Sequence, residues 1–175
     1  DGWDIYQREE ATGISSNLNS CLKGIVSERN QFNFIEHPRP KHSWSETIIY
    51  ELHVGGFTSQ VESDLSSNKN GTFLGLIEKL PYLKDLGITT IELLPIFAFD
   101  PYDAPSGQEN YWGYSPISWF AIHCDYIVGN NPLEGRNQLR KLVAECHDIG
   151  IEVLLDVVYN HTTEGNQNGP TLSWK

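Results

Sequence analysis

Methionine is missing from all 175 residues, so the chain carries no initiator. Processing would produce that, and so would excision from a longer chain; the order of elements described below favours the second. Cysteine is scarce. Cys21, Cys124 and Cys146 are odd in number, far apart and without a CxxC pair, which excludes a disulfide framework and the usual zinc spacings. Buried free thiols in a reducing compartment are expected, and hence a cytoplasmic protein. No apolar run reaches the ~18 residues that a membrane-spanning helix needs. The opening residues Asp1-Gly2-Trp3-Asp4 have neither the basic nor the apolar region of a secretory leader. Positive charge is also short, with 12 Lys and Arg against 23 Asp and Glu, a net of -11. Nucleic-acid phosphates and anionic membrane surfaces both call for a basic face, so neither is expected as a partner. No GxGxxG and no GxxxxGK(S/T) occurs, which removes the glycine-rich phosphate cradles and the α/β enzymes built on them.

What remains is a globular composition. The hydrophobic fraction is 39% and the mean hydropathy -0.38, enough for a core and too apolar for a disordered tail. Five Trp and eight Tyr are present. Core filling is the default role for such rings, and stacking on flat apolar ligands, including the CH faces of sugars, is the alternative.

Residues 1–46 lack periodicity. They hold the polar cluster Ser15-Ser16-Asn17 and the proline-broken His37-Pro38-Arg39-Pro40, and read as an irregular connection into a domain. Thr47 to Val54 is rich in β-branched and aromatic residues and is closed by Gly55-Gly56, so a strand is expected over 47–54. Ser59 to Gly71 reads as loop. Phe73, Leu74, Ile77, Leu80, Leu83 and Leu86 follow helical spacing behind Thr72, a suitable N-cap, which predicts a helix over 73–86. Pro81 inside it threatens a break or kink. Gly87 stands at the left-handed C-terminal cap. A second strand is expected over 88–94, then a long loop over 96–133 whose aromatic content argues against disorder. A second helix follows over 135–149, capped by Gly150, and a third strand over 151–158. Leu86-Gly87-Ile88 and Ile149-Gly150-Ile151 are the same junction twice: helix end, glycine, buried strand. The last two strands are apolar nearly throughout, as in parallel sheets covered on both faces. The fold class is α/β with parallel strands, and in such folds the site lies at the carboxyl ends of the strands.

At those ends the sequence resembles a known family. Asp156-Val157-Val158-Tyr159-Asn160-His161 is similar to the first of the short conserved blocks of the α-amylase family of glycoside hydrolases. Asn110-Tyr111-Trp112-Gly113-Tyr114 resembles the segment that precedes that block. Ile49 to Thr58, and Gly75 to Lys84 continuing through Gly87-Ile88-Thr89 to Glu92-Leu93-Leu94-Pro95, resemble the opening of the barrel in the isoamylase and glycogen-debranching branch. Gly55 stands where many members carry Arg. The resemblance runs over about residues 42–165. It implies that residues 47–175 are the opening portion of a (β/α)8 TIM barrel, three parallel strands with two helices, joined by 1–46 to a preceding domain. A whole barrel takes roughly 250 residues.

The implied activity is retaining hydrolysis of α-1,6 branch points of glycogen or a similar branched α-glucan. That chemistry needs two carboxyl groups roughly 5–5.5 Å apart. In the family these come from later strands, so the nucleophile and general acid are expected after Lys175 and no catalytic residue within this chain. Asp100, Asp103 and Glu109 on the long loop carry no motif and read as solvated or turn-forming acids. The resemblance makes His161 a hydrogen-bonding partner of the sugar before the scissile bond, and Tyr111 the ring that stacks beneath it. Trp112 reads equally as sugar contact or core. Asp156 and Asn160 support the site. Asn160 matches a calcium-ligating position in many α-amylases, but debranching relatives differ there, so no cofactor is expected and calcium is the alternative. An α-1,4-acting amylase or glucan transferase, and a non-catalytic carbohydrate-binding relative, are the competing functions.

Overall fold

Strand β1 (Ile49–Leu52), strand β2 (Thr90–Leu93) and strand β5 (Glu152–Leu155) form one parallel sheet in the order β1-β2-β5. The computed structural model describes residues 19, 23–27, 32–59, 68–129 and 131–165, and the fold is given for these. Ser15-Ser16-Asn17, Cys21, most of the loop expected over 59–71 and residues 166–175 lie outside them. Register runs Ile49 to Thr90 and Leu52 to Leu93 on one side of β2, and Thr90 to Glu152 and Leu93 to Leu155 on the other. The barrel reading requires three parallel strands, and three are present, each shorter than its apolar run.

The crossovers carry the helices. Helix α2 (Phe73–Asp85) follows β1, and helix α3 (Leu133–Asp148) precedes β5. Phe73, Leu76, Leu80 and Leu83 bury one stripe of α2 against the sheet, with Leu142 and Cys146 of α3 beside them. Thr72 caps α2 by accepting the Gly75 N–H at 3.3 Å. Pro81 does not break it: α2 runs on through Asp85, and the proline sits on its exposed side. Both helices end in the same left-handed glycine motif. Gly87 has φ +87° and Gly150 φ +78°. Ile88 N–H reaches back to Leu83 O at 3.1 Å, and Ile151 N–H to Cys146 O at 2.8 Å, which satisfies the last carbonyls while the chain turns into the next strand.

Four expectations need correction. The segment 96–133 is not all loop: β3 (Phe97–Phe99) and β4 (Pro116–Ile122) pair antiparallel with irregular register, and a 3-10 turn follows over Cys124–Tyr126. The strand over 47–54 stops at Leu52, because His53 caps a single helical turn, α1 (Val54–Phe57), by accepting the Gly56 N–H. Coverage of both faces holds for β2, where Ile91 and Leu93 on one face and Thr90 on the other are buried, but not for β5, where Leu154 and Leu155 are 43% and 40% exposed. Among the described residues β5 is an edge strand, paired only with β2. Core filling by Trp and Tyr holds for Tyr126, whereas Trp44, Trp112, Tyr111 and Tyr159 are exposed.

The described end of the 1–46 connection is tied down rather than loose. Arg39 Nε and the Lys41 N–H both donate to Glu152 Oε1, at 2.9 and 2.8 Å, and His42 Nε2 lies 2.8 Å from Gly150 O. Burial works against the Glu152 charge, but Arg39 and the Lys41 N–H outweigh it and hold the carboxyl below its usual range. Among the described residues no helix is long and apolar enough to cross a membrane.

Candidate functional site

The carboxyl ends of the three parallel strands deliver His53, Leu94-Pro95 and Asp156 to one side of the sheet. The segment 110–115, leading into β4, is fastened across them. At its near end His53 Nε2 lies 2.8 Å from the Tyr111 carbonyl. At its far end His161, on the exit from β5, brings Nε2 to 2.8 Å from the Tyr114 carbonyl, and the Tyr114 hydroxyl donates to Asp156 Oδ2. Within the segment, Asn110 Oδ1 accepts the Gly113 N–H at 3.2 Å and Asn110 Nδ2 donates to Asp100 O at 3.0 Å.

Tyr111 lies flat on His53, ring centroids 4.0 Å apart and 11° from parallel. Trp112 stands edge-on to Tyr111 at 5.2 Å and 84°. Both remain about half exposed, 48% and 56%, so Trp112 is a surface ring rather than core. His53 Nδ1 accepts the Gly56 N–H at 2.9 Å, which leaves the ring proton on Nε2, facing the Tyr111 carbonyl.

Burial holds the His53 pKa below the usual histidine value, with repulsion from His123 adding to it and the Tyr111 carbonyl opposing. The unfolded chain therefore takes up this proton first. Stability contributed by neutral His53 is complete above about pH 6.5 and is lost as pH falls from there through the folded pKa. The expected result is an NMR titration midpoint for His53 below about 6.5. A midpoint at or above the ordinary histidine value would contradict the burial argument.

On the far side, the Asp156 carboxylate pushes the Tyr114 hydroxyl up to about 12, so this hydroxyl stays protonated and keeps donating at neutral pH. His161 and Asn160 are exposed, and Asn160 Nδ2 donates to His161 Nδ1 at 3.0 Å. Both His161 nitrogens thus have protein partners, and Nε2–H is the one that faces the loop. Among the described residues no group of three or more His, Cys, Asp or Glu is gathered to hold a metal ion.

Asp100 takes the turn-forming alternative, accepting the Tyr102 N–H at 2.9 Å, and is fully buried rather than solvated. Asp103 is exposed and accepts from Ser115 and Thr163; Glu109 is exposed. Cys146 is buried, and burial pushes its thiol up to about 12; Cys124 is half-buried.

The segment 110–115 spans the carboxyl end of the sheet, with Tyr111 and Trp112 beside His53 on the β1 side and Asp156, Asn160 and His161 on the β5 side. Sequence reasoning misses His53 and Tyr114 as site residues. A lone histidine after a strand carries no periodic signal, and its ring partner is 58 positions away. The glycine pair that follows His53, which leaves room for a ring, is the one signal that points to it.

Residues 39–168 match the family model described as alpha amylase, catalytic domain. The Haemophilus influenzae glycogen operon protein GlgX homolog is 42% identical over 85% of this chain and 22% of its own length. The chloroplastic isoamylase 3 of Oryza sativa is 40% identical over 98% of this chain and 25% of its own. The chain therefore spans about a quarter or less of these relatives. Among solved structures, the pullulanase SAP of Group B Streptococcus in complex with maltotetraose is 38% identical, covers 67% of this chain and 16% of that one, and superposes with a TM-score of 0.56. A product complex of the pneumococcal glycogen-degrading virulence factor SpuA is 37% identical over 73% of this chain and 14% of that one, with a TM-score of 0.58.

Proposed function

The chain belongs to the α-amylase catalytic-domain family, and from that premise we propose that it serves a retaining glycoside hydrolase acting on α-1,6 branch points of glycogen or a related branched α-glucan. The observation that carries the reading is the fastened segment 110–115, which holds Tyr111 and Trp112 half exposed at the carboxyl ends of the parallel strands. Flat rings presented there suit the CH face of a pyranose. The relatives' names, glycogen operon protein and isoamylase, support the same substrate class.

In this reading Tyr111 stacks under the sugar before the scissile bond, and Trp112 extends the apolar surface beside it. His161 offers its Nε2–H to a sugar hydroxyl, which competes with the Tyr114 carbonyl. Asp156 and Asn160 hold Tyr114 and His161 in place. Residues 47–175 are the opening part of the catalytic barrel, and 1–46 connect it to a preceding domain. The carboxylate pair belongs to later strands. The buried, unreactive Cys146 supports a reducing, cytoplasmic setting. The net charge of -11 argues against nucleic acid or an anionic membrane as partner.

Two measurements test this. The protein encoded by the complete reading frame is expected to release linear chains from glycogen and to leave linear amylose intact. Shortening of amylose with branch points untouched would replace the assignment with an α-1,4-acting one. The 175-residue chain by itself is expected to give no new reducing ends from glycogen or pullulan. Turnover abolished by a substitution within it would overturn the placing of the carboxylates elsewhere.

A further inference from the structure

We propose that His53 is a positioning residue for Tyr111, holding both the backbone and the ring of the platform that the functional reading assigns to the sugar. The inference rests on that reading for its kinetic consequence, and on geometry alone for the positioning.

One side chain grips Tyr111 in two ways. Its ring covers a face of the phenol at 4.0 Å, and its Nε2–H points at the carbonyl of the same residue at 2.8 Å. The grip is directional because His53 is itself fixed. Nδ1 is occupied by the Gly56 N–H at 2.9 Å, so the ring cannot flip without losing both bonds. Tyr126 stands perpendicular to it at 5.7 Å and 89°, with its hydroxyl 3.1 Å from Nε2, and Tyr126 is buried within the core. Rigidity thus passes from the core through Tyr126 and His53 to a half-exposed ring. Gly56 completes the seat, since a Cβ there would overlap the Tyr111 hydroxyl. A platform that must meet a sugar at van der Waals distance gains from being held before the ligand arrives, because ordering it on binding would cost affinity.

The test uses the protein encoded by the complete reading frame, branched glucan as substrate, and the variants His53→Ala, His53→Gln, Tyr111→Ala and the double variant. Gln keeps an N–H within reach of the Tyr111 carbonyl but loses the stacked ring. Two readouts are followed: kcat/KM, and the NOE between the Tyr111 ring protons and Gly56 Hα, which reports where the ring sits rather than whether an imidazole lies beside it. His53→Ala is expected to lower kcat/KM about fivefold to tenfold, the loss of one modest hydrogen bond and a ring contact, and to weaken that NOE. His53→Gln is expected to recover part of the rate. In a Tyr111→Ala background, His53→Ala should cost clearly less than it costs alone, because only its bond to the residue 111 carbonyl remains to be lost.

Additive losses in the double variant would overturn the proposal, since His53 would then act independently of Tyr111. An unchanged NOE between Tyr111 and Gly56 in His53→Ala would overturn it as well. If Tyr111→Ala leaves the kinetics intact while His53→Ala weakens that NOE, the platform reading fails and the positioning stands. Should His53→Ala not fold, His53→Gln carries the same comparisons, and a rate and an NOE equal to wild type in that variant would show that stacking is not what positions Tyr111.

Discussion

Gly113→Ala is expected to destabilise the protein by about 2–4 kcal/mol, through two separable costs. Gly113 has φ +75°, a conformation that costs a residue with a Cβ roughly 1 kcal/mol or more. A Cβ there would also stand 2.7 Å from Phe99 Cδ1 and 2.8 Å from Phe99 Cε1. Phe99 cannot yield cheaply. It is buried and stacked on His123 at 3.8 Å and 5°. Forcing a buried ring aside typically costs about 1–3 kcal/mol. Gly107 separates the terms, because its φ is +84° but nothing lies within 4 Å of a Cβ there. Gly107→Ala should show the conformational cost alone. Urea unfolding of both variants is the check, as a shift in midpoint at constant slope. If Gly113→Ala costs no more than Gly107→Ala, the packing half of the argument is wrong.

Glycines also show what the sequence makes legible and what it does not. The left-handed glycines after α2 and α3 are readable because the rule is local. A helix stripe ends, glycine follows, and an apolar residue comes next, so the bonds from Ile88 to Leu83 and from Ile151 to Cys146 close within six residues. Parallel pairing is readable for a related reason, since a helical stretch separates each strand from the next. The β3–β4 hairpin is not. β3 is three residues long, β4 begins on a proline, and the register shifts twice between them, so no clean alternation marks either strand.

The site divides in the same way. Tyr111, Asp156 and His161 are legible because each sits in a short block resembling a family pattern. Their fastening is not, because it joins His53 to Tyr111 and Tyr114 to Asp156 across long stretches of chain. Asp100 can be read as a turn former from its neighbours Pro101 and Tyr102, yet its complete burial follows only from how the loop folds back, with Asn110 bonded to its carbonyl.

His161→Ala is expected to lower kcat/KM on branched glucan about tenfold to a hundredfold, on the order of 1–3 kcal/mol, in the protein encoded by the complete reading frame. Two losses combine. The sugar loses the Nε2–H that the functional reading gives it, and the Tyr114 carbonyl loses its 2.8 Å partner, which loosens the segment carrying Tyr111 and Trp112. The stability cost should be small, because His161 is exposed and leaves no cavity behind. Tyr114→Phe separates the two losses. It removes the hydroxyl that donates to Asp156 while leaving both the Tyr114 carbonyl and His161 in place. If fastening of the segment were the whole role of His161, Tyr114→Phe should cost a comparable share of the rate; if His161 meets the sugar, Tyr114→Phe should be much milder. Glucan kinetics and thermal melts on the same preparations make the comparison. Full activity in His161→Ala, or a loss that tracks unfolding alone, would rule out a role in the sugar site.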